Sequence, residues 1–319
     1  MDVEEIGSFH IGGRTVTLSG LPPRRMRLTP SAPEREFPSD GDHETGQMYV
    51  QYVRLISARA RYPLLMWHGG GMTGVTWETK PDGGMGWQWF FLNAGHDVFV
   101  SDAMERGRSG WSRFPEIYPE APHFRSKREA WELFRFGPEG SYATDPAARR
   151  AFPGQLFPVT AFDAFSRQMV PRWACHDVPT QAAYDALVRR VGPCVIMTHS
   201  QSGHFGFTAA LHAPELVRAV IAIEPSGAPS GVDVAALRPI PHLVVMGDYL
   251  EESPFWMGLM PVIERYRGAL EARGGVAERM DLPALGIRGN SHFPMMDRNS
   301  DQVAGLIQGW MEKRGLMAD

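Results

Sequence analysis

The residues best suited to chemistry in this sequence form the stretch Thr198-His199-Ser200-Gln201-Ser202. A short apolar run precedes this stretch and a run of small, apolar residues follows it, which predicts a buried strand, a tight turn and a helix. Such a turn exposes a serine hydroxyl but has room only for small residues two positions away on either side. Thr198 and Ser202 meet this requirement, so we expect Ser200 to be a nucleophile. The alternative is a polar loop without chemistry.

A glycine-rich loop, His68-Gly69-Gly70-Gly71-Met72, follows another short apolar run. Backbone N–H groups can face a bound molecule only where no side chain blocks the approach. We expect Gly70 and Gly71, together with the backbone of Gln201, to bind an oxyanion formed on the substrate. No Gly-Lys-Ser/Thr follows, which disfavours a phosphate-binding loop, and a structural turn is the remaining alternative.

A serine nucleophile needs a base to take its proton and an acid to orient that base. His292 is the only histidine after the last predicted strand, and it directly precedes the closing helix. We therefore expect His292 to be the base. Three other histidines fit worse, because they adjoin the nucleophile or lie on the next helix: His199, His204 and His212.

Two positions in the sequence could supply the acid. Glu224 directly follows the sixth predicted strand, whereas Asp248 and Glu251 follow the seventh. The residue types and positions leave these alternatives open.

Several further residues are candidates for contact with substrate. Glu105 and Arg106 lie in a loop at the carboxyl end of a predicted strand, where ligands meet an open α/β sheet. An ion-paired rim that holds this loop is the alternative role for them. The other candidates are aromatic, apolar or next to the glycines: His68, Met72, Trp131, Phe165 and Phe293.

Apolar runs and helical periodicity alternate along most of the chain, which predicts a mostly parallel sheet with helices on both faces. Gly12-Gly13 between two extended runs predicts a hairpin within 9–18. Thr180 is the expected N-cap of a helix that ends at Val191. Further strands are predicted at 47–56, 63–67, 96–101, 194–197, 218–223, 242–246 and 278–282, and further helices at 86–94, 127–136, 203–211, 254–272 and 301–313.

Residues 111–177 break this alternation. The segment is rich in proline and aromatic residues, and only one helix is predicted within it. Long insertions in compact domains are usually functional, so we expect a cap or lid at 111–177 over a core formed by 1–110 and 178–319. Packing of the segment on itself is the alternative role for its aromatic residues.

Composition limits the remaining possibilities. The chain has 319 residues, a net charge of −4 and a pI near 6.3, which disfavours nucleic-acid binding and polybasic attachment to membranes. Cys175 and Cys194 do not make a disulfide framework. No signal peptide or membrane-spanning run is present, so we expect a cytoplasmic protein, although a removed leader would leave no trace. Neither metal-ligand spacing nor a cofactor motif occurs, and we expect no metal and no cofactor.

The chain resembles an α/β-hydrolase along essentially its whole length, because the His-Gly-Gly-Gly loop, the Ser200 turn and the Asn-Ser-His turn occur in the family's order. It is similar to the bacterial 713-type carboxylesterases in its Thr-His-Ser-Gln-Ser-Gly turn, its Glu-Pro loop after strand six and its Ser-His-Phe turn. The resemblance implies an eight-stranded sheet and a homodimer. Most of the family would place the acid at Asp248 or Glu251, whereas the subgroup implies Glu224. Gly70 and Gly71 stand where some relatives carry paired cysteines.

We therefore expect a serine hydrolase that cleaves a moderately apolar or aromatic small-molecule ester through an acyl-enzyme. A lactonase or a carbon–carbon bond hydrolase could use the same three residues, because the pocket decides the reaction. A ligand-binding receptor that retains the fold without turnover is a further alternative.

Overall fold

The computed structural model describes residues 1–112 and 114–318, and an eight-stranded sheet forms its centre. A small two-stranded sheet, β2 with β3, lies apart from it. The strands are β1 (Val3–Leu18), β2 (Arg24–Met26), β3 (Arg35–Phe37), β4 (Gly41–Leu55), β5 (Leu64–Trp67), β6 (Val98–Asp102), β7 (Cys194–His199), β8 (Val217–Ile223), β9 (His242–Met246) and β10 (Ala277–Asp281).

The large sheet has the order β1-β4-β6-β5-β7-β8-β9-β10. Only the β1–β4 and β4–β6 pairs are antiparallel, which confirms the predicted mostly parallel eight-stranded sheet. The central strands β5, β7 and β9 are buried on both faces, as their continuous apolar runs predict. Since β5 and β7 are parallel neighbours, the loops that follow them meet at one edge of the sheet.

Every helix predicted from the sequence is present within a few residues of its expected bounds, and two further short helices, at 75–78 and 162–166, were not predicted. They are α1 (Val75–Glu78), α2 (Trp87–Asn93), α3 (Lys127–Leu133), α4 (Phe162–Ser166), α5 (Asp177–Val191), α6 (Ser202–His212), α7 (Pro254–Ala272) and α8 (Ser300–Lys313). None of those in the described residues is long and apolar enough to cross a lipid bilayer.

Two local predictions are wrong. Gly12 and Gly13 do not turn a hairpin: both adopt positive φ inside the continuous strand β1, which pairs with β4 along its length. A Cβ atom at Gly13 would lie 2.8 Å from the backbone nitrogen of Gln47, so glycine permits this close passage of β4. Thr180 does not cap α5, which begins three residues earlier. Its hydroxyl instead donates to the carbonyl of His176 at 2.6 Å.

Residues 111–177 connect β6 to α5 and are bonded to the loops that follow the later strands. The backbone carbonyl of Phe134 accepts from the N–H of His292 at 3.0 Å, and that of Gly289 accepts from Leu156 at 2.8 Å. The carbonyl of Leu133 accepts from Trp256 Nε1 at 2.6 Å. That this segment acts as a cap or lid stays a prediction.

Candidate active site

Ser200 occupies the turn between β7 and α6 with a φ of +55°, in the left-handed region that side chains rarely adopt. Its backbone N–H donates to the carbonyl of Ile223 at 3.0 Å, and its own carbonyl accepts from Gly203. The hydroxyl of Ser202 accepts from the N–H of His199 at 3.0 Å and donates to the carbonyl of Trp67 at 2.8 Å. These bonds tie the turn to β5 and β8.

Close packing explains why small residues flank this turn. A Cβ atom at Gly206 would lie 2.6 Å from Cγ2 of Thr198, so α6 crosses β7 only because position 206 is glycine. A Cβ atom at Gly203 would lie 2.6 Å from Cβ of Pro225, in the loop after β8. The Pro225 loop is therefore packed directly against the start of α6.

His292 and Glu224 meet at this edge of the sheet. Nδ1 of His292 lies 3.2 Å from Oε2 of Glu224, and both side chains are fully buried. The other carboxylate oxygen of Glu224 accepts from Arg135 Nη2 at 2.8 Å and from the N–H of Gly247. Arg135 also donates through Nε to the carbonyl of Asp248 at 2.8 Å. The carboxylate therefore has one oxygen held by donors and the other directed at the imidazole.

Burial and charge set the protonation of this pair. Burial alone would raise the pKa of Glu224, but the charge of Arg135 and the bond to His292 lower it to about 2. Burial lowers the pKa of His292 to about 4, despite the opposing effect of Glu224. The neutral ring then donates through Nδ1, which leaves Nε2 as the atom that can accept a proton. Nε2 is buried and has no hydrogen-bond partner among the described residues.

Packing positions the imidazole of His292. Its ring centroid lies 4.1 Å from that of Trp256, and the ring stacks on Phe134 at 5.5 Å and 12°. His199 lies next to it at 4.7 Å, and its Nε2 lies 2.8 Å from the carbonyl oxygen of His292. Since that oxygen can only accept, His199 donates from Nε2. Within residues 1–112 and 114–318, no hydrogen bond joins His292 to the hydroxyl of Ser200.

The glycine loop after β5 passes over the same turn. A Cβ atom at Gly69 would lie 2.8 Å from Nδ1 of His199 and 3.0 Å from Cβ of Ser200. Across the described residues, the backbone N–H groups of Gly70, Gly71 and Gln201 donate no hydrogen bond. These unpaired donors lie in loops that adjoin Ser200.

Two side chains brace the loop after β6. Nε2 of His68 accepts from the N–H of Ala103 at 2.9 Å, and its Nδ1 lies 2.8 Å from the carbonyl of Gly69. Glu105 forms a hydrogen-bonded pair with His176. Glu105 therefore has a partner in the protein, whereas Arg106 forms no ion pair or hydrogen bond through its side chain in the part of the chain that the structure describes.

The alternative acids and the remaining candidate substrate contacts have other surroundings than the His292–Glu224 pair. Asp248 accepts from the N–H groups of Gly289 and Tyr249, both at 2.8 Å, and does not bond to His292. Glu251 is exposed. Phe293 packs on His199, with ring centroids 4.5 Å apart. Three others are buried in the hydrophobic core: Met72, Trp131 and Phe165.

Sequence reasoning missed Arg135 and Asp297. Arg135 stands between Phe134 and Phe136, and a charge inside an apolar run is the one local signal that it is buried. Asp297 accepts from the N–H and hydroxyl of Ser291 and from Asn290, all within 2.9 Å. Burial raises the pKa of Asp297 to about 7. These bonds shape the turn that carries His292.

Backbone strain is concentrated around this site. The described residues other than glycine with positive φ all lie in the surrounding loops: Glu105, Arg135, Ser200, Glu224 and Tyr249. A left-handed conformation costs about 1–2 kcal/mol per residue. Strain of this kind persists where the neighbouring structure over-determines a conformation, often at functional sites.

Two of the known proteins that are similar to this chain match it over most of its length. A solved structure described as a novel bacterial esterase superposes with a TM-score of 0.85 and is 37% identical, over 98% of this chain and 96% of that one. The curated protein "Probable secreted lipase phiG" of Fungal sp. (strain ATCC 74256) is 26% identical, over 86% of this chain and 88% of that protein. No family profile matches this chain.

Proposed function

Since this chain belongs to the α/β-hydrolase family and is a carboxylic ester hydrolase, we propose that Ser200, His292 and Glu224 are its catalytic triad. The observation that carries the proposal is the buried hydrogen bond between Nδ1 of His292 and Glu224, which leaves Nε2 as the proton acceptor. Glu224 is preferred to Asp248 as the acid because the Asp248 carboxylate is bonded to backbone N–H groups instead.

The reaction proceeds in two acyl transfers. Nε2 of His292 takes the proton of Ser200 while Oγ attacks the ester carbonyl, and the resulting oxyanion accepts from the free N–H groups of Gln201 and of Gly70 or Gly71. When the C–O bond breaks, the alcohol leaves with the proton from Nε2. Water then repeats both steps and releases the acid. Glu224 stabilises the imidazolium and orients the ring throughout.

We propose a small ester with a moderately apolar or aromatic group as the substrate. Support comes from the aromatic rings around the imidazole, since Phe134, Trp256 and Phe293 all pack against His292. Cytoplasmic location and a homodimer stay predictions.

A fluorophosphonate probe and p-nitrophenyl esters of rising acyl length test this function. We expect the wild type to be labelled and to hydrolyse esters, and Ser200→Ala to do neither. Glu224→Gln should lose about 100-fold or more in kcat, whereas Asp248→Asn should stay within about tenfold of the wild type, since removal of a triad acid costs up to about 10⁴-fold. A larger loss in kcat for Asp248→Asn than for Glu224→Gln would assign the role of the acid to Asp248.

A further inference from the structure

We propose that the ester substrate carries a carboxylate close to its scissile carbonyl, bound by Arg172 together with Arg106. This inference rests on the proposed function and deepens it, because it names a chemical class of substrate for the same site. It is carried by the guanidinium of Arg172, which lies next to the glycine loop without a partner, and by the unpaired Arg106, whose charge acts on His68 of that loop.

The backbone that carries Arg172 is held against the glycine loop, because the N–H of Val170 donates to the carbonyl of Gly71 at 2.8 Å. The N–H and carbonyl of Arg172 both pair with His123, at 3.0 and 2.7 Å. Its Nη1 lies so close to Gly70 that a Cβ atom there would collide with it, and Oε1 of Gln201 would lie 2.8 Å from the same Cβ position. The guanidinium therefore lies beside Gly70, one of the proposed oxyanion donors, and near the side chain of Gln201.

The guanidinium of Arg172 forms no hydrogen bond and no ion pair with residues 1–112 and 114–318, and its Nε is buried. The acids whose charge acts on it, Asp177 and Glu129, do not pair with it. Glu129 bonds instead to Arg125, at 2.8 Å. A partly buried cation therefore lies beside the loop without a neutralising partner.

Arg106 adds a second unpaired cation. It is only 5% exposed, its Nε is buried without a partner, and the adjacent Glu105 bonds to His176. Burial, together with the charge of Arg172, lowers the pKa of Arg106 to about 10. A third arginine, Arg125, lies 3.4 Å from the carbonyl oxygen of Gly70. The region is therefore positive on balance.

Buried charges in proteins are normally paired, because an isolated one loses its hydration without compensation. A guanidinium offers parallel N–H donors that match the two oxygens of a carboxylate. Since Arg172 adjoins Gly70, the carboxylate must lie within a few ångströms of the carbonyl that Ser200 attacks. Short esters with a free acid group on the acyl or the alcohol side meet this condition.

Matched pairs of esters test the proposal and distinguish the two sides. Monoethyl succinate against diethyl succinate places the charge on the acyl side, and O-acetylglycolate against its ethyl ester places it on the alcohol side. We expect the wild type to prefer the charged member of one pair. Arg172→Gln should lower kcat/KM for that member about 10- to 100-fold, since a hydrogen bond to a charged group contributes about 1.5–3 kcal/mol, and should change the neutral member less than about threefold.

Arg128→Gln is the matched control, because Arg128 is an exposed arginine of the same segment. It should behave as the wild type with all four esters. Arg172→Lys keeps the charge without the paired donors and should lose part of the preference for the charged ester. It replaces Arg172→Gln if thermal unfolding shows that Arg172→Gln does not fold. Equal losses on charged and neutral esters, or no preference in the wild type, would overturn the inference. Absent fluorophosphonate labelling or absent turnover of the neutral esters in the wild type would instead contradict the proposed function.

Discussion

The pKa of His292 determines the acidic limit of activity at the scale of single residues. A general base must be neutral, and burial lowers the pKa of this imidazole from 6.5 to about 4. As pH falls through that value the ring becomes protonated and cannot accept the proton of Ser200. We expect the acidic limb of kcat/KM against pH to lie well below 6.5, near 4–5, in a series at constant ionic strength. A limb at or above 6.5 would show that the ring is more hydrated than the structure indicates.

Arg135 should shift that limb through its charge. Its guanidinium lowers the pKa of both Glu224 and His292, so Arg135→Gln should raise both and move the acidic limb to higher pH. The variant also leaves a buried carboxylate with one partner fewer, which costs about 3–5 kcal/mol of unfolding free energy. Measurement of the pH profile and of urea unfolding separates the two effects.

Arg150→Gln, an exposed arginine of the same segment, is the control and should change neither quantity. Arg135→Lys should retain much of the wild-type pH profile because it keeps the positive charge. An unchanged limb in a folded Arg135→Gln protein would assign Arg135 a purely structural role.

The contact between β7 and α6 gives a test at the scale of secondary-structure elements. Glycine inside a helix normally costs about 0.5–1 kcal/mol relative to alanine, so Gly→Ala should stabilise an open site. Gly268 in α7 has no atom within 4 Å of a built Cβ, whereas Gly206 faces Cγ2 of Thr198 at 2.6 Å. We expect Gly268→Ala to raise the unfolding free energy, and Gly206→Ala to lower it by about 1–3 kcal/mol through overpacking.

Thr198→Ser removes the Cγ2 atom and should recover part of the stability lost in Gly206→Ala. Urea denaturation of the single and double variants measures this. If Gly206→Ala and Gly268→Ala stabilised the protein equally, β7 and α6 would lie further apart than the structure shows.

Elements with their own periodicity could be predicted from the sequence, and pairings between distant segments could not. The runs that become β5, β7 and β9 are continuous and apolar, so their composition alone identifies them as buried strands. The partner of β1 is non-local, and Gly12-Gly13 misled the hairpin prediction because glycine also allows a positive φ within a strand. The bond between Arg135 and Glu224 joins residues 89 positions apart, and no local pattern encodes it.

Ser200 and His292 could likewise be proposed from residue types and spacing, but neither the choice of acid nor the surroundings that set the protonation of His292 could. Glu224 and Asp248 each follow a predicted strand, and the hydrogen bond to His292 that distinguishes Glu224 appears only in the structure. Arg172 could be placed beside the glycine loop only once the segment 111–177 had been seen against it, whereas Arg106 is already a candidate from its loop at the carboxyl end of a predicted strand.

The bonds between residues 133–136 and the later loops give a prediction at the scale of the whole molecule. These residues contact Glu224, Asp248 and His292 directly. A segment with few regular elements opens at lower free energy than a central sheet. We therefore expect ester hydrolysis to be lost at a lower urea concentration than the far-ultraviolet circular dichroism signal. Coincident transitions would show that the segment and the sheet unfold as one unit.

The same bonds limit how freely this segment can be exchanged between relatives. If it were a module that only selects substrates, a chimaera with another esterase's insertion would keep its rate and change its specificity. Here Arg135 donates to the carboxylate of Glu224, and the carbonyl of Phe134 accepts from the backbone N–H of His292. Recombination boundaries that cut before residue 137 would separate Glu224 and His292 from these supports. Evolution of new specificities in this chain is therefore expected to proceed by point substitution around Arg172 rather than by exchange of the insertion.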